Sequence, residues 1–253
     1  MLLAWVLGSL LAPWIAPHPP LAPDFLALLA PPGPGHPFGT DQLGRDVLSR
    51  ILHGGRSVLA VAPAATLLGL VLGSAIGLAS AYRGGWVDEI AMRVLDAVMA
   101  LPIVVVAMLA LAFLGASTLN VILVIGFVFA PIVARTVRAA ALPEMRKDYV
   151  RAAELRGEGA AYVLAREVLP NVAGVLVVEG TLRLGYAVFT AATLGFLGLG
   201  AQPPSPDWGL MVAENQALLT TAPWTVLFPA GAIAWVVVGV ALVSDGLREA
   251  AGP

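Results

Sequence analysis

The sequence contains no cysteine, which excludes disulfides, cysteine metal sites and thiol catalysis. Lysine is nearly as scarce. Lys147 is the sole one, in Arg146-Lys147-Asp148-Tyr149, and no glycine-rich run precedes it. A phosphate-binding loop needs Gly-x4-Gly-Lys-Ser/Thr, so this chain is not expected to hydrolyse ATP. The nucleophile elbow Gly-x-Ser-x-Gly is also absent. Only three histidines occur, His18, His36 and His53, with no His-x3-His pair. They read as surface residues rather than metal ligands, so no metal site is expected. Charge is short as well: charged residues make up 12% of the chain, about half the share usual in soluble domains. A net charge of −2 gives no electrostatic footprint for nucleic acid. The apolar N-terminus lacks a basic leading region, and the run Met1–Ala12 meets Pro13 without a cleavage pattern. It reads as a short anchor helix, not a removed signal peptide.

What remains is apolar. Hydrophobic residues make up 59% of the chain and mean hydropathy is +0.88, which places it among membrane-embedded proteins. Leu2 to Ala16 is the first apolar segment, followed by prolines that rule out a continued regular helix. In the polar stretch from Gly39 to Arg56, Thr40 or Asp41 is placed to cap a short helix through Val47, Leu48, Ile51 and Leu52. Val58 to Ala81 is an uncharged span carrying Gly69, Gly73 and Gly77, a small-residue face for close helix packing. Tyr82 to Asp96 reads as a polar connector whose Asp88, Arg93 and Asp96 are solvated or packed on a partner. Ala97 to Ala134 would be roughly 57 Å long as one helix against a core of about 30 Å, so two helices are expected, broken at Gly115–Asn120. Val172 to Leu199 and Ala222 to Val243 complete an expected total of six spans. With six, Lys and Arg placement puts both termini and the large polar loop in the cytoplasm and Arg45, Arg50 and Arg56 outside.

The largest polar island, Met145 to Asn171, holds most of the basic residues between Arg135 and Arg166. Asp148 to Arg156 suits a short helix with Val150, Ala152 and Ala153 on a small face, and Gly157 and Gly159 end it. Pro170 stops a second segment before the next span. From the residues alone, a unit that docks into another protein and a solvated loop obeying the positive-inside rule are equally supported.

The motif Y-V-R-A-A-E-L-R-G, then nine residues, then E-V-L-P-N (Tyr149–Asn171) is similar to the EAA loop of ABC importer permeases. Ala152, Ala153, Gly157, Leu169 and Pro170 match its spacing; Arg151 replaces the usual Glu, and Glu154 follows. H-P-F-G-T-D-Q-L-G-R-D-V-L-S-R (His36–Arg50), L-G-F-L-G-L-G-A-Q-P-P-S-P-D-W-G (Leu194–Gly209), D-G-L-R-E-A (Asp245–Ala250) and L-A-P-W-I-A-P (Leu11–Pro17) resemble blocks of the dipeptide/oligopeptide/nickel permeases, C-type subunit. The resemblance covers nearly the whole chain. It implies an all-α, polytopic membrane protein with the type I permease fold. On that reading residues 1–17 are an N-terminal transmembrane helix and 18–56 an extracytoplasmic segment. Residues 57–253 are a core of five transmembrane helices with a coupling loop at 143–171. It further implies a second permease, two ATPase subunits that bind ATP and Mg, an extracytoplasmic binding protein, and a bacterial or archaeal cytoplasmic membrane. The coupling helix would seat Arg151, Ala152, Ala153, Glu154 and Gly157 against an ATPase, with Leu169 and Pro170 fixing the exit.

Two further groups complete the reading. Glu179 and Arg183, four apart on one span, share a helix face; they line a translocation path or a subunit interface, or neutralise each other within the helix. Gly39, Thr40, Asp41, Gly44, Arg45 and Asp46 hold the outer segment by turns and hydrogen bonds. A peptide or related small solute such as nickel is the expected cargo. The rival reading is an ion-coupled secondary transporter using Glu179 and Arg183; an embedded enzyme would need a polar cluster at membrane depth, which is not apparent.

Overall fold

The computed structural model describes residues 1–251, and among these every named element is helical. Residues 252 and 253 of the expected core range lie outside the described residues. The chain opens with α1 (Leu2–Leu10) and α2 (Ala12–Ile15), the latter carrying Pro13 in its first turn. After a helix-free outer segment come α3 (Val47–Arg83), α4 (Gly85–Met99), α5 (Ile103–Leu114) and α6 (Thr118–Glu144). The polar island forms α7 (Asp148–Leu155), α8 (Ala160–Tyr162), a π-helical turn (Val163–Val168) and α9 (Leu169–Asn171). Then follow α10 (Ala173–Phe196), α11 (Trp208–Asn215), a 3-10 turn (Gln216–Leu218) and α12 (Trp224–Ala251).

Four helices, α3, α6, α10 and α12, are long and apolar enough to cross a membrane. The α4–α5 pair, bent by 86°, makes a fifth if it counts as one broken span. Six spans were expected; by length and composition alone, these four or five stand out among the described residues. Within the described residues α1 is nine residues long, about 14 Å at 1.5 Å per residue. The long apolar run was expected to break once. It breaks twice, since Leu101 and Pro102 separate α4 from α5 and a proline offers no amide to continue the ladder.

The connector expected at Tyr82–Asp96 is mostly helix. Gly84 and Gly85 take positive φ between α3 and α4, and α4 then turns Trp86, Ile90 and Val94 outward at fourfold spacing. Its Asp88 is buried, accepting from Ser80 Oγ at 2.5 Å and pairing with Arg138. Asp96 pairs with Arg135. Both acids thus staple α4 to this chain's own helices. The helix cap expected at Thr40 or Asp41 is instead Asp46, whose side chain accepts from Ser49 N at 2.8 Å. From there α3 runs unbroken through residue 57, so outer segment and core share one rigid rod.

The α5–α6 turn lies within the expected break. Ser117 caps α6 by accepting from Asn120 N at 3.1 Å, while Asn120 Nδ2 closes α5 by donating to Leu114 O and Gly115 O. The main seam is α3 against α6. A Cβ at Gly73 would lie 2.5 Å from Val133 Cβ and 2.7 Å from Ala130 O, and at Gly77 2.5 Å from Ala134 O. Lipid gives helices no hydrophobic push toward each other, so this close approach supplies the dispersion that holds the pair. One buried cluster (Val61, Phe129, Val188, Trp208, Val236) fills the outer half, and a second (Leu78, Val137, Val150, Ala153, Val168) fills the half beneath the polar island.

Candidate functional site

The polar island folds as a hairpin braced at both ends. Tyr149 Oη donates to Glu144 Oε2 at 2.7 Å, and Lys147 Nζ lies 2.8 Å from Glu144 Oε1. Burial, then the Glu144 carboxylate, push the Tyr149 hydroxyl up to about 12, so it remains a donor under working conditions. Across the hairpin, Arg156 pairs with Glu167 at 3.2 Å. Residue 170 is proline, so the Arg166 carbonyl lacks the amide an α-helix would give it, and the chain before Pro170 takes π form.

Burial divides the motif in two. Val150 and Ala153 face inward onto the α3–α6 seam at 2% and 0% exposure. Ala153 therefore packs the hairpin on its own subunit rather than presenting an outer face. Arg151, Ala152, Glu154, Leu155, Arg156 and Gly157 are exposed, and Gly157 makes the turn at φ +81°. Leu155, 89% exposed at the tip, was not singled out by sequence reasoning. The signal was present: it is the lone large apolar side chain between Val150 and Tyr162, flanked by Glu154 and Arg156. Leu169 is half-buried and Pro170 exposed on the return arm.

The outer segment is knitted by its polar residues. Thr40 Oγ1 accepts from Ala30 N at 2.8 Å and donates to Ala27 O. Asp41 Oδ1 accepts from Leu43 N and Arg45 N, while its Oδ2 meets Arg45 Nε at 2.7 Å and Arg50 at 2.6 Å. Gly44, at φ +74°, has Asp24 O only 1.8 Å from where a Cβ would stand, so any larger residue would displace that strand of backbone. Two partners escaped the sequence reading. Arg50, taken as an outer positive charge, is fully buried, and Glu214 of α11 reaches Arg45 at 2.9 Å and Arg50 at 3.3 Å. Arg50 also donates to Ser205 O, Trp208 Nε1 to Ile51 O, and Trp224 Nε1 to Thr40 O. The sequence blocks at 36–50 and 194–209 thus meet in one outer cluster.

Between these ends, Glu179 and Arg183 of α10 are ion-paired at 2.8 Å and largely buried, though the approach is not aligned as a hydrogen bond. The Arg183 guanidinium lies 4.8 Å from the half-exposed Tyr186 ring and 5.7 Å from that of Phe129. The histidines, expected as separate surface residues, are not all separate. His18 and His36 stack at 4.6 Å beside Asp46, while His53 Nδ1 donates locally to Ser49 O.

The family model described as "binding-protein-dependent transport system inner membrane component" matches residues 65–253. The dipeptide transport system permease protein of Alkalihalophilus pseudofirmus is 39% identical over 222 residues, covering 88% of this chain and 73% of that protein. The di/tripeptide transport system permease protein of Pseudomonas aeruginosa is 38% identical, covering 98% of this chain and 84% of that one. Among solved structures, a chain of the MetNI methionine ABC transporter in inward facing conformations superposes with a TM-score of 0.65 at 16% identity. That match covers 81% of this chain and 97% of that chain.

Proposed function

The chain belongs to the family of binding-protein-dependent transport system inner membrane components, and on that premise we propose that it carries short peptides as half of a paired permease. It is a permease subunit of an ABC importer, a transport component rather than an enzyme. The substrates for which its relatives are named, dipeptides and di- or tripeptides, favour a peptide over nickel as cargo. The ion-coupled alternative draws no support from these relatives.

One observation carries the mechanism: a hairpin locked to its own subunit by Val150 and Ala153 that still leaves Arg151, Ala152 and the stretch Glu154–Gly157 bare at the tip. In the proposed assembly this tip seats in a cleft of one of two ATPase subunits, which bind ATP and Mg. A second permease completes the path, and an extracytoplasmic binding protein delivers the cargo. Both termini face the cytoplasm of a bacterial or archaeal cell. Closure of the ATPases would push the tip, and the braced hairpin would pass that motion to α6 and α10 as a rigid body. Glu179 and Arg183 would form the charged part of the path wall, beside the half-exposed Tyr186 ring that lies against the Arg183 guanidinium.

Gentle solubilisation of the tagged chain from its native membrane tests this. A second permease and two ATPases should co-purify, and a cysteine at position 183 should become labelled in one transport state. Recovery without an ATPase would refute the coupling role, and a position 183 silent in every state would remove the path role.

A further inference from the structure

We propose that His18, His36 and Asp46 form a binding site for a borderline divalent transition-metal cation, of which Zn²⁺ is the type, fastening the outer segment to the start of α3. Their ligand atoms all lie within 4.8 Å of one another. Both imidazoles direct Nδ1 at the same carboxylate oxygen: His36 Nδ1 lies 2.9 Å and His18 Nδ1 3.8 Å from Asp46 Oδ1. Ligands about 2.0–2.2 Å from a tetrahedral zinc stand about 3.3 Å from each other, and these two separations bracket that figure. A cation inserted between them needs side-chain adjustments of well under a residue's length.

The ligands are held by structure around them. Asp46 is fully buried, and its other oxygen is occupied by Ser49 N at 2.8 Å, leaving Oδ1 aimed at the rings. The His18 amide donates to Ser49 Oγ at 3.1 Å. His36 sits in a turn closed by Gly33 N to His36 O at 2.9 Å and His36 N to Gly33 O at 3.1 Å. Two of the three ligands come from separate parts of the outer segment, so a shared cation would cross-link them to α3. The His18 side chain is 43% exposed, which gives entry and leaves a fourth position for water. Two imidazoles with one carboxylate favour zinc and its first-row neighbours over Mg²⁺ or Ca²⁺, which prefer oxygen-only shells. On binding at Nδ1 each neutral imidazole keeps its proton on Nε2, so no co-reactant is needed.

The site rests on side-chain geometry and is independent of the transport reading. The full chain, purified in detergent on a histidine-free affinity tag, should be titrated with ZnCl₂ by calorimetry, with MgCl₂ as control. CoCl₂ should be followed by its visible absorption. One Zn²⁺ per chain should bind, with a Co²⁺ band typical of low coordination and a raised thermal midpoint. His18→Ala should weaken binding at least about tenfold while leaving the metal-free midpoint unchanged. Asp46→Asn, which keeps the helix cap, should do the same. His53→Ala should bind as wild type. Equal zinc affinity in wild type and His18→Ala, or no zinc-specific binding in wild type, would overturn the proposal.

Discussion

At the scale of single residues, the outer end depends on a buried quartet of two acids and two bases. Asp41 and Arg45 come from the outer segment, Arg50 from α3 and Glu214 from α11, and all but Glu214 are at most 4% exposed as side chains. Charge balances, so the quartet is tolerable, but each member is stranded if its partner goes. Arg50→Met should cost about 3–5 kcal/mol because Asp41 and Glu214 keep their charges in a dry setting. Arg50→Met combined with Glu214→Gln leaves the Asp41–Arg45 pair balanced. The double variant should therefore lose clearly less than the sum of the singles. Thermal unfolding of detergent-purified variants measures this; additive losses would mean that the four groups act independently. The sequence offered Asp41 and Arg45 as neighbours four apart, but Glu214 lies 169 residues from Arg45, and no periodic pattern carries that distance.

At the scale of elements, the decisive contact is the α3–α6 seam, where small residues every four positions let two backbones approach. Gly73→Val should destabilise the purified protein by about 1–3 kcal/mol, because the added atoms run into Val133 and the Ala130 carbonyl. Gly174→Val on α10 is the matched control, since nothing lies within 4 Å of where its Cβ would stand. Comparable loss in both would show that glycine content rather than the seam matters. This face was readable because one helix carries the spacing by itself. The same holds for the turn at Ser117, where cap and breaker residues adjoin. The elements that misled were those whose charges find partners elsewhere. Asp88 and Asp96 made α4 look like a solvated connector, yet Arg138 and Arg135 lie on α6, and only the outward stripe Trp86, Ile90, Val94 betrays the helix. Likewise apolar length cannot separate a straight span from the 86° bend at Pro102.

At the scale of the whole molecule, the hairpin beneath α3 and α6 divides into a part that folds and a part that faces outward, and substitutions should split the same way. Ala153 has no exposed surface, so Ala153→Leu overpacks the inner cluster and should lower the thermal midpoint along with uptake. Leu155→Glu changes a side chain that is already bare, and should leave insertion and midpoint near wild type. Gly157→Val meets no neighbour within 4 Å but must accept φ +81°, a strain of about 1–2 kcal/mol at the turn. If the tip is what another subunit grips, both Leu155→Glu and Gly157→Val should abolish peptide uptake while the chain remains folded and inserted. Uptake by proteoliposomes of the assembled importer, read beside the midpoint of the same preparation, separates the two classes. Wild-type uptake by Leu155→Glu would move the grip away from the tip, whereas loss of fold in that variant would mean that Leu155 packs where the isolated chain leaves it bare. The sequence spacing marked Ala152, Ala153 and Gly157 as one motif. Burial divides it, because successive residues of a short helix point to different sides, and the side facing the α3–α6 seam is set by helices far away in the chain.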